Sequence, residues 1–484
     1  MKKIYIQRLP FVLKPSHERV LIRPFIPGDE NRLYRIISRI MILSEQDVEA
    51  QLERVLVDFM GRHPRISNVL LQHFDMVKQW TITDAPLSEA RKLLIGAYFT
   101  QEYALESAAL FNPSIVPHPD QSGIPEGSLH YILSLRAIGE GHISSIVFRE
   151  GIITEDFRIQ HKRPTPYVSQ PKRIPWQNYN KEIFSRKLAE LNLENRFSEE
   201  VLSKLQDDFS LAELARETER SRRKSLASTE AVNTAQGMLT LAYSNYEVSF
   251  GVDQDISEKA IFPLTPSQSN GIEDARFVCF HDEDDGTCRY YGTYTAFDGK
   301  MIFPQLIETE DFISFKFITL NGPAVKNKGM ALFPRKINGQ YAMLSRQDNE
   351  NLYVMYSDNI NFWYEPQIIM HPTFPWEYIQ VGNCGSPMEL DEGWLVLSHG
   401  VGPMRRYCIG AFLLDKKNPT KVIGRLKEPL IEPNENERDG YVPNVVYTCG
   451  ALVHRGKLIL PYAMSDYATR FAIADIDEVL AAMG

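Results

Sequence analysis

From Phe111 onward the chain is cut into short β-rich runs by turn signals, and this texture limits the fold more than any other feature. Runs of β-branched and aromatic residues recur at 130–135, 143–148, 289–296, 312–320, 341–344, 352–357, 394–398, 407–414 and 458–463. Many short strands between turns predict an all-β sandwich, barrel or propeller. An Asp followed by an aromatic residue recurs (Asp311 with Phe312, Asp358 with Phe362), as in a bladed repeat, but too loosely to give a blade count.

Two stretches read differently. Between 29 and 109 apolar residues fall at helical spacing: Leu33, Ile36, Ile37, Ile40 and Met41, then Val48, Leu52, Val55, Leu56 and Phe59. Ser44 with Asp47 predicts an N-cap for the second stripe, and Pro64 its end. A helical segment at about 177–241 interrupts the β region, with Leu188, Leu191, Leu202, Leu205, Leu211 and Leu214 on apolar stripes. It reads as an amphipathic hairpin packing on the β domain or on a neighbouring subunit, with a nucleic-acid recognition helix as the alternative. The expected organisation is a helical extension over 1–103 and a β domain over 104–484 carrying the insertion.

Bulk chemistry excludes several classes. A 43% hydrophobic share over 484 residues supplies a large core. The net charge of -9 argues against nucleic acid or an anionic membrane as partner, and the run from Arg220 to Lys224 reads as a solvated helix face. Five scattered cysteines without a Cys-x-x-Cys pair fit reduced thiols and no zinc site. Arg8, Pro10 and Lys14 break the first apolar stretch, and no run approaches the roughly twenty apolar residues that span a bilayer. The expectation is a soluble, cytoplasmic protein.

The familiar nucleotide, hydrolase-elbow and metalloprotease motifs are missing, and the eleven histidines are dispersed, so neither cofactor nor metal is expected. Attention turns to carboxylates, which carry glycoside hydrolysis. Polar residues cluster at strand ends: Asn112, Arg136, Glu273-Asp274-Ala275-Arg276, Asn327-Lys328, Arg346 with Asp348, His399, Asn444 and Asp466. In a closed β architecture such ends converge on one mouth, where Tyr294, Phe297, Trp376, Tyr441 and Tyr467 could stack on sugar rings. Each has a plainer reading. Asp274 beside Arg276 could be a turn carboxylate in an ion pair, Arg346 and Asp348 a structural brace, and His399 a strand-end turn.

Taken together, seven segments resemble glycoside hydrolase family 130, the β-mannoside phosphorylases and β-mannosidases. They are Phe-Asn-Pro-Ser at 111–114, Leu-Arg-Ala at 135–137, Gly-Ile-Glu-Asp-Ala-Arg at 271–276 and Thr-Tyr-Thr-Ala-Phe-Asp-Gly at 293–299. Asn-Lys-Gly-Met-Ala-Leu-Phe-Pro at 327–334, Glu-Gly-Trp-Leu-Val-Leu-Ser-His-Gly-Val at 392–401 and Asn-Val-Val-Tyr-Thr-Cys-Gly at 444–450 follow in order. The resemblance implies a five-bladed β-propeller and an inverting enzyme whose general acid is Asp274, acting through the mannose 3-hydroxyl. It implies mannose contacts from Asn112, Arg136, Lys328, Arg346, Asp348 and Asp466.

The nucleophile separates two reactions. Phosphorolysis needs a cationic pocket for inorganic phosphate as co-substrate; hydrolysis needs a carboxylate that activates water. The resemblance leads one to expect a phosphate-binding arginine where an ungapped reading puts Phe303, and a histidine where Ser345 stands, although Arg405 or Arg406 could supply charge. With Glu308, Glu377 and Glu389 as candidate bases, the sequence favours an exo-acting β-mannosidase, perhaps on β-1,2 linkages, over a phosphorylase releasing mannose 1-phosphate. A non-catalytic carbohydrate-binding propeller is the reading of another class. A β-linked manno-oligosaccharide is the expected partner, and the helical parts are expected to pack in a homo-oligomer.

Overall fold

The computed structural model describes residues 4–176, 178–224, 228–284, 286–299 and 302–483. The chain divides into two compact units, one of residues 16–107 with 165–169 and the other of 1–15, 108–164 and 170–484.

The smaller unit holds helices Glu30–Met41, Glu45–Phe59, Ile66–Val77 and Glu89–Tyr98, plus a strand pair, Ser16–Pro24 with Thr100–Glu106. The predicted cap is there: the Ser44 hydroxyl accepts from the Asp47 amide at 3.1 Å. Leu33, Ile37, Ile40, Val48, Phe74 and Leu94 share one buried cluster, so the helical stripes face inward. Helices Ile66–Val77 and Glu89–Tyr98 meet at Gly96, where an added Cβ would lie 1.9 Å from the Leu70 carbonyl oxygen. The sequence boundary needs correcting. The unit is not wholly helical, and residues 1–15 belong to the larger unit, because Ile6–Leu13 pairs with Ala468–Asp475 near the C-terminus.

The larger unit is mostly β. Among its described residues, five antiparallel sheets have four to six strands each. Their opening strands are Ala109–Pro117, Ile272–His281, Ala331–Leu332, Gln380–Asn383 and Val446–Tyr447. Later strands add outward in sequence order, except that Tyr246–Ser249 and Lys172–Pro175 extend the second sheet and Ile6–Leu13 completes the fifth. Each of the nine predicted runs overlaps a strand, seven of them along their whole length; 143, 312, 313 and 320 fall just outside.

Apolar clusters join the sheets in succession. Ile132 and Phe148 of the first meet Phe277 and Phe303 of the second. Val278 and Leu306 of the second meet Met343 of the third, and Leu344 meets Val396 of the fourth. A further cluster joins Leu397 and Ile409 to Leu460 of the fifth sheet and to Phe111 and Ile138 of the first. Strands covered on both faces need no polar side. This is why Trp394–Val401 is buried along its whole length and opens with an unbroken apolar run, Trp394 to Leu397. Phe148 lies 5.6 Å from both Phe312 and Phe315, and truncating such a side chain to alanine costs about 3–5 kcal/mol.

The insertion is larger than a hairpin. Helices Lys181–Glu190, Arg196–Leu202, Leu211–Lys224 and Thr229–Tyr243 bury Phe184, Leu188, Val201, Leu214 and Met238 in a cluster of their own. It leaves and rejoins the second sheet on adjacent strands, with Ile174 opposite Glu247, so the sheet is not interrupted. Arg222 and Arg223 pair with Glu219 on an exposed face, as expected of a solvated basic run. No described helix is long and apolar enough to cross a membrane.

Candidate active site

Two β-bulges aim the central side chains. Pairing of Ala109–Pro117 with Leu129–Ile138 slips between Phe111 and Ser114, and Asn112, within the slip, has φ 49°. Ile272–His281 slips against Cys288–Phe297 between Glu273 and Arg276, where Asp274 has φ 53°. A bulge re-aims a side chain, and Asn and Asp tolerate the left-handed region best among non-glycine residues. The re-aimed groups meet, Asn112 Nδ2 donating to Asp274 Oδ1 at 2.7 Å. Gly271, at φ 125°, opens the motif because the Ser144 hydroxyl donates to the Ile272 carbonyl at 2.9 Å. An added Cβ at Gly271 would lie 2.3 Å from that hydroxyl oxygen.

Arg136, on the second strand of the first sheet, donates to Asp274 Oδ1 at 3.2 Å and to Glu273 Oε1 at 3.0 Å. Lys328 binds the other oxygen of Glu273. Arg276 turns from the carboxylate: it donates to the Asp274 carbonyl at 2.9 Å and to the Tyr447 hydroxyl at 2.7 Å. Burial pushes the Asp274 carboxyl up, but Arg136, Arg276, the Asn112 amide and Lys328 outweigh it and hold it below the usual aspartate value. Asp466 goes the other way. Burial and the Asp274 charge raise it to about 6 against Arg136 and Arg405. The two carboxyl groups are therefore pushed apart, the pattern that divides acid–base roles within one site.

A second group adjoins the first through Tyr447, whose ring lies edge-on to His399 at 5.1 Å. His399 is buried within strand Trp394–Val401. Burial, with Arg346 and Arg276 nearby, lowers it well below the usual histidine value, so the ring is neutral near pH 7. Arg346 lies 3.2 Å from its Nε2. Gln380, with its amide turned to suit its neighbours, accepts from both Arg346 and His399 and donates to the Asn349 carbonyl at 3.1 Å. Among the described residues Arg346 forms no ion pair, and its Nε has no hydrogen-bond partner. A half-buried guanidinium without a counter-charge is costly, and an arriving anion removes the cost.

Comparison with known proteins places this geometry. Residues 229–484 match the family model of glycoside hydrolase family 130, described as beta-1,4-mannooligosaccharide phosphorylase. The chain belongs to glycoside hydrolase family 130. It is 34% identical over 222 residues to a 1,2-beta-oligomannan phosphorylase of Thermoanaerobacter sp. (strain X514), covering 44% of this chain and 72% of that one. It is 31% identical over 228 residues to a beta-1,2-mannobiose phosphorylase of Listeria innocua, covering 46% of this chain and 62% of that one. The solved structure of beta-1,2-mannobiose phosphorylase from Listeria innocua with β-1,2-mannobiose aligns over 79% of this chain and 93% of that one, at 22% identity and a TM-score of 0.46.

Within this family 130 chain several expectations need correction. Phe303 is a core residue, 2% exposed among Phe148, Tyr294 and Phe315, so the ungapped reading placed a packing position where it sought a phosphate ligand. Ser345 is buried, and its hydroxyl accepts from Gln347 at 2.9 Å. None of the three candidate bases joins the Asp274 group. Glu377 is fully buried under Arg425 at 2.5 Å and accepts from the amides of Thr373 and Phe374. Glu389 pairs with Arg335 and Lys416, and Glu308 stands between Tyr291 and Lys316 in the strand register.

Asp348 is exposed and caps its own turn, accepting from Asn351 and from the Tyr353 hydroxyl. Asn444 accepts from Arg438 at 2.7 Å. Tyr294 is locked in the core by Gln268 and Gln305, and Trp376 packs on Gly400 and Gly410, whereas Tyr441 and Tyr467 are exposed. Sequence reasoning missed Gln380 and Tyr447 as site residues. Glu273 was legible only as the neighbour of Asp274.

Proposed function

We propose that the chain is an inverting β-mannoside phosphorylase. The observation that carries this reading is Arg346: among the described residues a cation without a carboxylate partner, beside a neutral histidine and packed against Gly329, which follows Lys328, in the group that adjoins Asp274. Arg346 and Lys328 hold inorganic phosphate, and Asn112, Arg136 and Asp466 hold the terminal mannose. A phosphate oxygen attacks the anomeric carbon from the face opposite the leaving oxygen. The glycosidic C–O bond breaks, and the leaving oxygen takes a proton that Asp274 supplies through the mannose 3-hydroxyl. The products are mannose 1-phosphate with inverted configuration and an acceptor shortened by one sugar.

The charge balance supports phosphate as nucleophile. The cations around Asp274 hold its carboxyl below the usual aspartate value, which suits a base more than an acid. A phosphate anion on Lys328 offsets one of these cations, raises the Asp274 carboxyl and favours its holding the proton it must give. Relatives named as phosphorylases of β-1,2-linked mannosides make such linkages the first donors to try.

Hydrolysis has one observation in its favour. Asp466, raised to about 6, is a carboxyl of suitable basicity at the site. The preference for hydrolysis read from Phe303 and Ser345 loses its ground, since both side chains are packing residues. The propeller belongs to the same proposal: five sheets joined in succession by apolar clusters, the last of them shared with the first, support a five-bladed ring closed by Ile6–Leu13. Opening strands would then line the axis, which accounts for Asn112 and Asp274 reaching one point.

The test is incubation with β-1,2- and β-1,4-mannobiose, with and without inorganic phosphate. Phosphate-dependent release of mannose 1-phosphate is expected. Release of free mannose at an equal rate without phosphate overturns the reading in favour of hydrolysis.

A further inference from the structure

Far from Asp274 along the first sheet, three metal-ligand side chains converge. His118 follows strand Ala109–Pro117, His130 lies in Leu129–Ile138, and Glu150 lies in Ser144–Ile153. The register sets His130 opposite Ile152, which makes Glu150 its diagonal neighbour on one face. The His118 amide donates to the His130 carbonyl at 2.9 Å, closing the connection between the first two strands. One ligand atom from each residue lies within 4.8 Å of the others. Glu150 Oε2 is 3.1 Å from His130 Nε2 and 3.8 Å from His118 Nε2. Ligand atoms around a tetrahedral ion with bonds of about 2.0–2.1 Å lie about 3.4 Å apart, so the two distances straddle the required value.

The surroundings prepare both rings. They stack at 4.0 Å between centroids with 16° between planes. The Nδ1 atoms of His118 and His130 lie 2.9 and 3.1 Å from the Asp120 carbonyl, whose two lone pairs can accept from both. In the tautomer with the proton on Nδ1, that carbonyl holds both rings and both Nε2 lone pairs face the carboxylate, as a metal ligand needs. The Asp120 amide also lies 2.9 Å from His118 Nδ1, so a cation at Nε2 would select between two tautomers of that ring. Gln121 pins the loop in advance, donating to the carbonyls of His118 and His130 and accepting from the His130 amide. Lys162 occupies Glu150 Oε1 at 2.5 Å, and Oε2 remains for an ion.

We propose that His118, His130 and Glu150 bind a divalent transition ion of the zinc class through two Nε2 atoms and one carboxylate oxygen, with water in the fourth position. Two imidazoles and a carboxylate suit zinc and its neighbours and disfavour magnesium or calcium. His130 is six residues from Arg136 on one strand, roughly 20 Å at 3.3 Å per residue. The ion therefore takes no part in the sugar chemistry and clamps the connection between residues 118 and 130. Dispersed histidines in the sequence gave no sign of it, because the sheet register and not the spacing brings them together.

The experiment uses the full chain without an affinity tag, stripped with a chelator and dialysed against micromolar Zn2+. Bound metal is counted, Co2+ is titrated with its visible spectrum recorded, and Mg2+ is the control. One equivalent of Zn2+, a tetrahedral Co2+ spectrum and a raised Tm are expected. All three should vanish in His118→Gln/His130→Gln, and Glu150→Gln should weaken binding at least tenfold. If the double variant does not fold, His118→Gln alone, altered on a partly exposed loop, reads the same loss. No retained Zn2+ in the native chain, or retention in the folded variants, overturns the proposal.

Discussion

Replacing Arg346 with methionine separates binding of an anion from support of the fold. The change removes the charge and keeps most of the apolar stem. Among the described residues no ion pair is broken; the lost contacts are those to His399 and Gln380. A lost hydrogen bond costs about 1 kcal/mol, and removing an uncompensated half-buried charge offsets part of that. Stability should therefore change by no more than about 1 kcal/mol. Phosphate binding should suffer far more, since truncating one partner of a buried charge pair costs about 2–5 kcal/mol. Partial exposure of Arg346 puts the expectation at the lower end, about 2–3 kcal/mol, or roughly a 30- to 150-fold rise in the phosphate KM. Initial rates of mannose 1-phosphate release over a range of phosphate concentrations measure it, with the urea midpoint as control. An unchanged phosphate KM in a folded variant would refute the assignment of Arg346, and so would phosphate-independent release of mannose.

Asp274→Asn keeps the shape and the Asn112 contact but cannot supply a proton, so kcat should fall by at least about 100-fold; full activity would remove Asp274 from the acid role. Asp466 has a folded value of about 6 against an ordinary 3.8. Between these values the folded state binds more protons, so its ionisation lowers stability as pH rises through that window. Asp466→Asn should thus stabilise the protein at pH 7.5, assayed without sugar or phosphate, by about 1–3 kcal/mol and lose that advantage by pH 4; denaturation at the two pH values shows whether the difference closes. Asp274 has the opposite sign: its depressed carboxyl contributes stability above the usual aspartate range that is lost as pH falls below it. Glu377→Gln should cost about 3–5 kcal/mol by leaving Arg425 unpaired, with kcat unchanged; a collapse of kcat at normal stability would restore Glu377 as a base. Gly271→Ala should destabilise and lower activity together, since its backbone angle and the Ser144 contact leave no room for a side chain.

The positions of the β runs, the helical stripes of 29–109 and the Ser44 cap were legible because each depends on residues within one turn or one strand. Asp274 was legible for a different reason: a short motif holds it together with Gly271 and Arg276, and six other segments keep the same order. What the sequence could not give was register. Phe303 reads as a vacancy for arginine until pairing with Ala296 places it in the core. Glu377 and Glu389 read as free carboxylates until Arg425 and Arg335 arrive from distant strands.

Composition and period thus determined a β-rich protein with helical additions, and the resemblance to family 130 pointed to its central carboxylate. Tertiary structure decided which charges meet. It gave Glu273 to Arg136 and Lys328, turned Arg276 to Tyr447, left Arg346 without a counter-ion among the described residues and set two histidines beside Glu150. The physical reason is range: hydrogen-bonding pattern and burial are written in neighbouring residues, whereas ion pairing depends on distances that only the packed sheets fix.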